Sequence, residues 1–313
     1  MARAFVFPGQ GSQAVGMGKD LGEAFAAARA VYEEVDEALG QKLSALMVDG
    51  PADDLTLTEN AQPALMAVSM AVIRVLEEQG FDLAASARLV AGHSLGEYSA
   101  LCAAGSLTIA DTARLLRIRG RAMQQAVPVG QGAMAALLGL DLEQAREVAA
   151  KAAQGEVCQA ANDNAPGQVV VSGAKAAVER ALALAAEAGA KRSVLLPVSA
   201  PFHCALMQPA ADAMAEALAS VAFAAPKVPV VANVTAQAES DPEVLRRLLV
   251  EQVTGAVRWR ESVLYMQAQG IDTLVECGAG KVLSGLARRI HSGLSGVALN
   301  KPADIEAFLK ENA

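Results

Sequence analysis

The sequence predicts an α/β fold: a large parallel-sheet subdomain, residues 1–127 and 199–313, interrupted by a small ferredoxin-like subdomain at residues 128–198. Three observations predict it. Short apolar runs alternate with helical-period stretches over the first 127 residues, the order of a parallel sheet covered by helices. Beyond Pro128-Val129-Gly130-Gln131-Gly132 the order becomes βαββαβ, and after Pro197 the first pattern returns. Within the first pattern, Gly92-His93-Ser94-Leu95-Gly96 joins an apolar run to a helix former run. That G-x-S-x-G turn makes the large subdomain α/β-hydrolase-like.

Residues 4–7 form a buried strand, ended by the turn Pro8-Gly9-Gln10-Gly11-Ser12-Gln13. Residues 64–78 carry apolar side chains at helical period, and Gly80 stops that helix. Residues 88–92 are the strand into the G-x-S-x-G turn, and 97–104 the helix out of it. Thr108 and Asp111 open a helix from 109 to about 127. The insert reads as strand 133–138, helix 142–153, strands 157–161 and 168–172, helix 174–188 and strand 193–198. Helix 206–219, strand 228–233, helices 242–253 and 259–269, strand 273–277, helix 282–290 and a strand near Val297 complete the large unit. A ligand belongs in the cleft between the two units.

The chain has 313 residues, 53% apolar and 19% charged, enough to bury a large core. A net charge of −8 argues against a general nucleic-acid binder, and leaves room for a local basic patch facing an acidic partner. Cys102, Cys158, Cys204 and Cys277 show no metal-ligand spacing and read as buried thiols. The N-terminal apolar run is too short for a signal peptide, and the longest apolar stretch, 64–73, is far short of a membrane span. A reducing cytoplasm, no membrane and no metal follow as expectations.

Ser94 is the candidate nucleophile. Glycines at 92 and 96 let strand and helix approach around it, and the helix N-terminus aims N–H groups at the reaction centre. A plain strand–helix turn is the alternative. Three histidines can serve as base. His93 should point away from the nucleophile's side, and His291 lies past a helix end. His203, in Ser199-Ala200-Pro201-Phe202-His203, sits where the chain re-enters the large unit, so elimination favours it over a helix-capping role. Asp111, Asp141 and Asp163 lie between serine and histidine, but at helix starts or turns that capping explains. A backbone carbonyl would orient the imidazole equally well. The Gln10-Gly11 turn lacks a phosphate-loop ending; beside the Ser94 turn, its N–H groups would complete an oxyanion hole with that of Leu95. Arg119 has Leu115, Ile118 and Ala122 as helix-surface neighbours, so it is costly to bury unless a carboxylate meets it, from the protein or from a substrate.

Four motifs in order, Phe7-Pro8-Gly9-Gln10-Gly11-Ser12-Gln13, Gly92-His93-Ser94-Leu95-Gly96-Glu97, Arg119-Gly120-Arg121-Ala122-Met123-Gln124 and Ser199-Ala200-Pro201-Phe202-His203, resemble the malonyl-CoA:acyl carrier protein transacylases. The likeness spans the whole chain. Ala279 departs from the proline frequent in that family, far from the assigned chemistry. The resemblance implies Ser94 as nucleophile, His203 as base, the N–H groups of Gln10 and Leu95 as oxyanion hole, and Arg119 as ligand of the malonyl carboxylate. It implies that the main-chain carbonyl of Gln252 holds the histidine ring, and that Gln62 and Asn162 line the pocket. Phe202 and Leu95 would flank the acyl α-carbon and favour malonyl over methylmalonyl.

Malonyl-CoA and phosphopantetheinyl acyl carrier protein would then be the substrates in fatty acid synthesis, with no tightly bound cofactor. The alternatives are an acyltransferase of polyketide or malonate metabolism, a serine thioesterase or hydrolase, and a non-catalytic scaffold for carrier protein. Lys281, Arg288, Arg289, Lys191 and Arg192 are candidates for the basic docking patch, against ordinary helix-end charge.

Overall fold

Strand β1 (Arg3–Phe7) divides its side chains between two cores. Phe5 and Phe7 point into one apolar cluster, Ala4 and Val6 into another. The alternation follows from the two-residue period of a strand, and both faces are apolar because helices cover both. The structure, a computed structural model, describes residues 2–311. β1 lies inside a six-stranded sheet with β2 (Ala87–Gly92), β7 (Val230–Val231), β8 (Ala238–Glu239), β9 (Thr273–Cys277) and β10 (Ser295–Leu299), in the order β10-β9-β1-β2-β7-β8. All neighbours are parallel except β7 and β8.

A second, antiparallel sheet is formed by β3 (Gly132–Leu138), β4 (Cys158–Ala165), β5 (Gln168–Ala174) and β6 (Arg192–Leu195), in the order β4-β5-β3-β6. Helices Leu142–Ala153 and Lys175–Glu187 cover one face through Val148, Val178 and their alanines. From the other face Met134 and Val170 join the large core. The two sheets are also stitched along β4. Val257 N–H donates to Ala161 O at 2.8 Å, Asp163 N–H donates to Val257 O at 2.9 Å, and Arg260 pairs with the buried Asp163 at 2.8 Å.

β4 corrects one expectation. The strand read as 157–161 runs on to Ala165, because its pairing with β5 continues to Ala165 opposite Gln168, with the 257 segment bridging at Asn162. Asp163 is therefore a strand residue held by Arg260, not a turn or cap residue. β6 ends at Leu195 and β7 has two residues, both shorter than expected. Cys102 is half-buried rather than buried.

Helices Lys19–Ala24, Ala26–Leu39, Leu43–Asp49 and Ala52–Thr56, the strand β8 and the last helix, Pro302–Glu311, had no counterpart in the sequence pattern. The second, third and fourth pack against the helix Thr58–Glu78, which begins six residues before the expected start at 64, and the first packs against Ala26–Leu39. Pro63 lies near its start, and burial of Ala61, Ala64 and Leu65 on several sides outweighs the missing hydrogen bond. Among the described residues, no helix is long and apolar enough to cross a membrane.

Candidate active site

The turn after β2 depends on its two glycines. A Cβ at Gly92 would lie 1.8 Å from the Gly96 carbonyl carbon, and one at Gly96 would lie 2.2 Å from Phe7 O. The close approach bends the chain so that Ser94 takes φ 53°, a left-handed conformation that a β-carbon disfavours. Asn233, at the end of β7, secures it. Its Oδ1 accepts from Ser94 N–H at 2.8 Å, and its Nδ2 donates to Gly92 O at 2.7 Å. Sequence reasoning missed Asn233, since a lone asparagine after a short strand carries no pattern.

His203 also has a positive φ, 59°, and its Nε2 lies 2.8 Å from Ser94 Oγ. Nδ1 faces two carbonyls, Gln252 O at 2.9 Å and Gly255 O at 3.1 Å. A carbonyl only accepts, so Nδ1 carries the proton and Nε2 is free to accept from Ser94. Burial, with the Arg119 charge nearby, pushes the imidazole down to about 3 from its ordinary 6.5. His203 is therefore neutral at ordinary pH.

Arg119 is buried, yet no carboxylate pairs with it among the described residues. Nη1 donates to Gln62 Oε1 at 2.8 Å; Nη2 donates to Gln252 Oε1 at 2.8 Å and Ser94 Oγ at 3.1 Å. Nε has no partner, and the guanidinium lies over the Tyr98 ring. Arginine only donates, so each glutamine turns its oxygen toward it. For Gln252 this leaves Nε2 to donate to Glu97 Oε2 at 2.8 Å and Ser94 O at 3.0 Å. Gln252 thus faces the histidine with its main chain and the arginine with its side chain. Glu97 is fully buried, and burial pushes its carboxyl up to about 7 against the opposing hydrogen bonds of Asn233 N–H and Gln252. Glu97 was legible only as part of the turn motif.

These groups open onto a cavity of about 490 Å³ lined from both units. Ser94, His203, Arg119, Gln62, Gln10, Leu95, Asn162 and Phe202 all line it, and Gln252 lies directly beneath. Neither Gln10 N–H nor Leu95 N–H donates to an acceptor among the described residues. His93 also contributes to the cavity lining, while its imidazole takes partners other than Ser94. The longer β4 brings Asn164 Oδ1 to 2.8 Å from His93 Nε2, and Trp259 packs 5.9 Å from the imidazole. Lys281, Arg288, Arg289, Lys191 and Arg192 are exposed outside the cavity. Among the described residues, no three His, Cys, Asp or Glu side chains are grouped so as to hold a metal ion.

The family described as acyl transferase domain matches residues 4–296. Malonyl CoA-acyl carrier protein transacylase of Escherichia coli (strain K12) is 50% identical over 307 residues, covering 98% of each chain. The chain belongs to the malonyl CoA-acyl carrier protein transacylase family. A solved acyl-carrier-protein-S-malonyltransferase of Bartonella henselae is 59% identical over 99% of each chain, with TM-score 0.97. A malonyl-transacylase solved in complex with a type II polyketide synthase acyl carrier protein is 45% identical over the whole of both chains, also with TM-score 0.97. The mixed α/β architecture with its separate antiparallel sheet is that of these transacylases.

Proposed function

We infer that the protein transfers the malonyl group of malonyl-CoA to the phosphopantetheine thiol of acyl carrier protein, supplying fatty acid synthesis. One observation carries this reading: a buried guanidinium without a carboxylate partner lies 3.1 Å from the hydroxyl that His203 contacts. A hydrolase or thioesterase has no use for that arginine at that place.

Ser94 Oγ attacks the thioester carbonyl carbon as His203 Nε2 takes its proton. The carbonyl electron pair moves onto oxygen, where the N–H groups of Gln10 and Leu95 receive it. The C–S bond then breaks, the CoA sulfur leaves with the proton from His203, and malonyl-Ser94 remains. The carrier thiol repeats these steps in reverse. Gln252 and Gly255 carbonyls keep the imidazole aligned in both directions, so no acidic third residue is needed. The free carboxylate of the acyl group pairs with the Arg119 guanidinium, with Gln62 and Asn162 beside it. Phe202 lies over the acyl α-carbon and excludes a branch methyl.

The architecture supporting this is an α/β-hydrolase-like catalytic subdomain, residues 1–127 and 199–313, with a ferredoxin-like insert at 128–198 that supplies the cavity's other wall. The strand order β4-β5-β3-β6 supports the ferredoxin-like description. Four free cysteines support a reducing cytoplasm. The decisive experiment is intact-mass measurement after incubation with malonyl-CoA. A malonyl increment mapped to Ser94, discharged by carrier protein faster than by water, is expected; rapid hydrolysis would make the protein a thioesterase.

A further inference from the structure

A hydrogen-bonded chain runs from the turn after β1 to the buried guanidinium. Arg119 Nη1 donates to Gln62 Oε1 at 2.8 Å, Gln62 Nε2 donates to Thr58 Oγ1 at 2.9 Å, and Thr58 Oγ1 donates to Gln10 Oε1 at 2.8 Å. Its direction is set at one end. Arginine can only donate, so Gln62 must offer its oxygen there and its NH₂ to Thr58; the Thr58 proton is then left for Gln10. Thr58 and Gln62 are each 1% exposed and one helical turn apart, so water does not compete for either.

The frame around the chain is stiff. Gly120, next to Arg119, lies so close to the other helix that a Cβ there would be 2.5 Å from Glu59 Cα and 2.7 Å from Thr58 O. The helix Ile109–Gln125 is thereby seated on the backbone at Thr58 itself. We propose that Thr58 is a positioning residue that couples the oxyanion turn at Gln10 to the carboxylate-binding Arg119. This rests on the roles given above to Gln10 and Arg119.

Without the hydroxyl, Gln10 Oε1 loses its partner and Gln62 Nε2 keeps only a contact with Met123 Sδ at 3.8 Å. The Gln62 amide keeps its oxygen toward Arg119 but loses the hydrogen bond that anchors its other end, so the amide and the guanidinium it holds shift together. Loading with malonyl uses both ends of the chain, whereas loading with acetyl uses only the Gln10 end. A residue that merely fills space would slow both acyl groups by the same factor.

The test is single-turnover acylation of Ser94 from malonyl-CoA and from acetyl-CoA in Thr58→Val, with thermal melts as a folding control. Malonyl loading should fall about 30-fold and acetyl loading about fivefold, so the preference drops about sixfold. Thr58→Ser keeps the hydroxyl and should restore both rates to within about twofold. Thr58→Ala is the second truncation should the valine variant not fold. An unchanged malonyl-to-acetyl ratio, or failure of serine to restore it, overturns the proposal. Arg119→Ala separates the two levels. If it leaves the ratio unchanged, the role of Arg119 itself falls; if it changes the ratio while Thr58→Val does not, only the coupling through Thr58 falls.

Discussion

Among the described residues, Ser94 and His203 are two of four non-glycine residues at positive φ, and both face the same cavity. Strain at this pair is held by Asn233 on one side and by two carbonyls on the other. Ser94→Ala should abolish the malonyl adduct and transfer while leaving the melting curve in place, as intact mass and calorimetry would show. Arg119→Ala should cost malonyl loading on the order of 2–5 kcal/mol and raise acetyl use relative to malonyl; equal losses for both acyl groups would remove carboxylate recognition from Arg119. The protonation state of His203 is directly visible, because the chain has only three histidines. Its folded value lies near 3 and its unfolded value near 6.5, so the imidazole should stay neutral in nitrogen-15 spectra from pH 8 down to pH 5. Between those two values the unfolded chain binds the extra proton, so His203 removes stability as pH falls through 6.5 toward 3. Protonation of His203 near pH 6.5 in the folded protein would contradict the burial argument.

At the scale of elements, two close approaches determine where the chemistry sits. β2 and the helix Gly96–Ala103 meet at Gly92 and Gly96, and the helices Ile109–Gln125 and Thr58–Glu78 meet at Gly120. The second crossing places Arg119 from one helix against Gln62 from the other. Gly120→Ala should force the helices apart at a cost of about 1–3 kcal/mol. Urea unfolding would measure the loss, and malonyl loading should weaken more than acetyl loading because Arg119 moves with its helix. A variant as stable and as selective as the parent would mean the crossing relaxes without disturbing the site.

Across the whole molecule, the two sheets close the cavity between them, and β4 is tied to the large unit by paired backbone and by Arg260–Asp163. Carrier protein must approach the cavity mouth from solvent, and acidic carrier surfaces need positive potential there. Arg289 reaches the small sheet, donating to Gln168 Oε1 at 3.1 Å, and Lys191 and Arg192 lie at that sheet's last strand; Arg288 lies beside Asp272 and Ser295, and Lys281 precedes the helix Val282–Ile290. Reversing these charges should slow transfer to carrier protein while leaving malonyl-CoA loading near its original rate, with steep salt dependence in the parent. Equal loss in both half-reactions would move the docking surface elsewhere.

Local chemistry made much of this readable in one dimension. Strand runs, the glycine-bracketed Ser94, the capped helix after Thr108 and the split insert all depend on neighbours within a few residues, so period and turn chemistry report them. Three of the four helices between residues 19 and 56 escaped because they have five to seven residues and bury only one or two side chains each, too few to set a period. Pro63 hid the start of the helix beneath Arg119 because tertiary burial, not local preference, keeps that turn helical. Asn233, the side chain of Gln252, Glu97 and Thr58 were silent as functional residues. Each works through a partner far away in the chain, such as Asn233 with Ser94 or Gln252 with Arg119. An arginine without a carboxylate was visible in the pattern as a cost; only the packed structure decided that two glutamines hold it in place beside Ser94, since hydrogen-bond direction exists only once the groups meet.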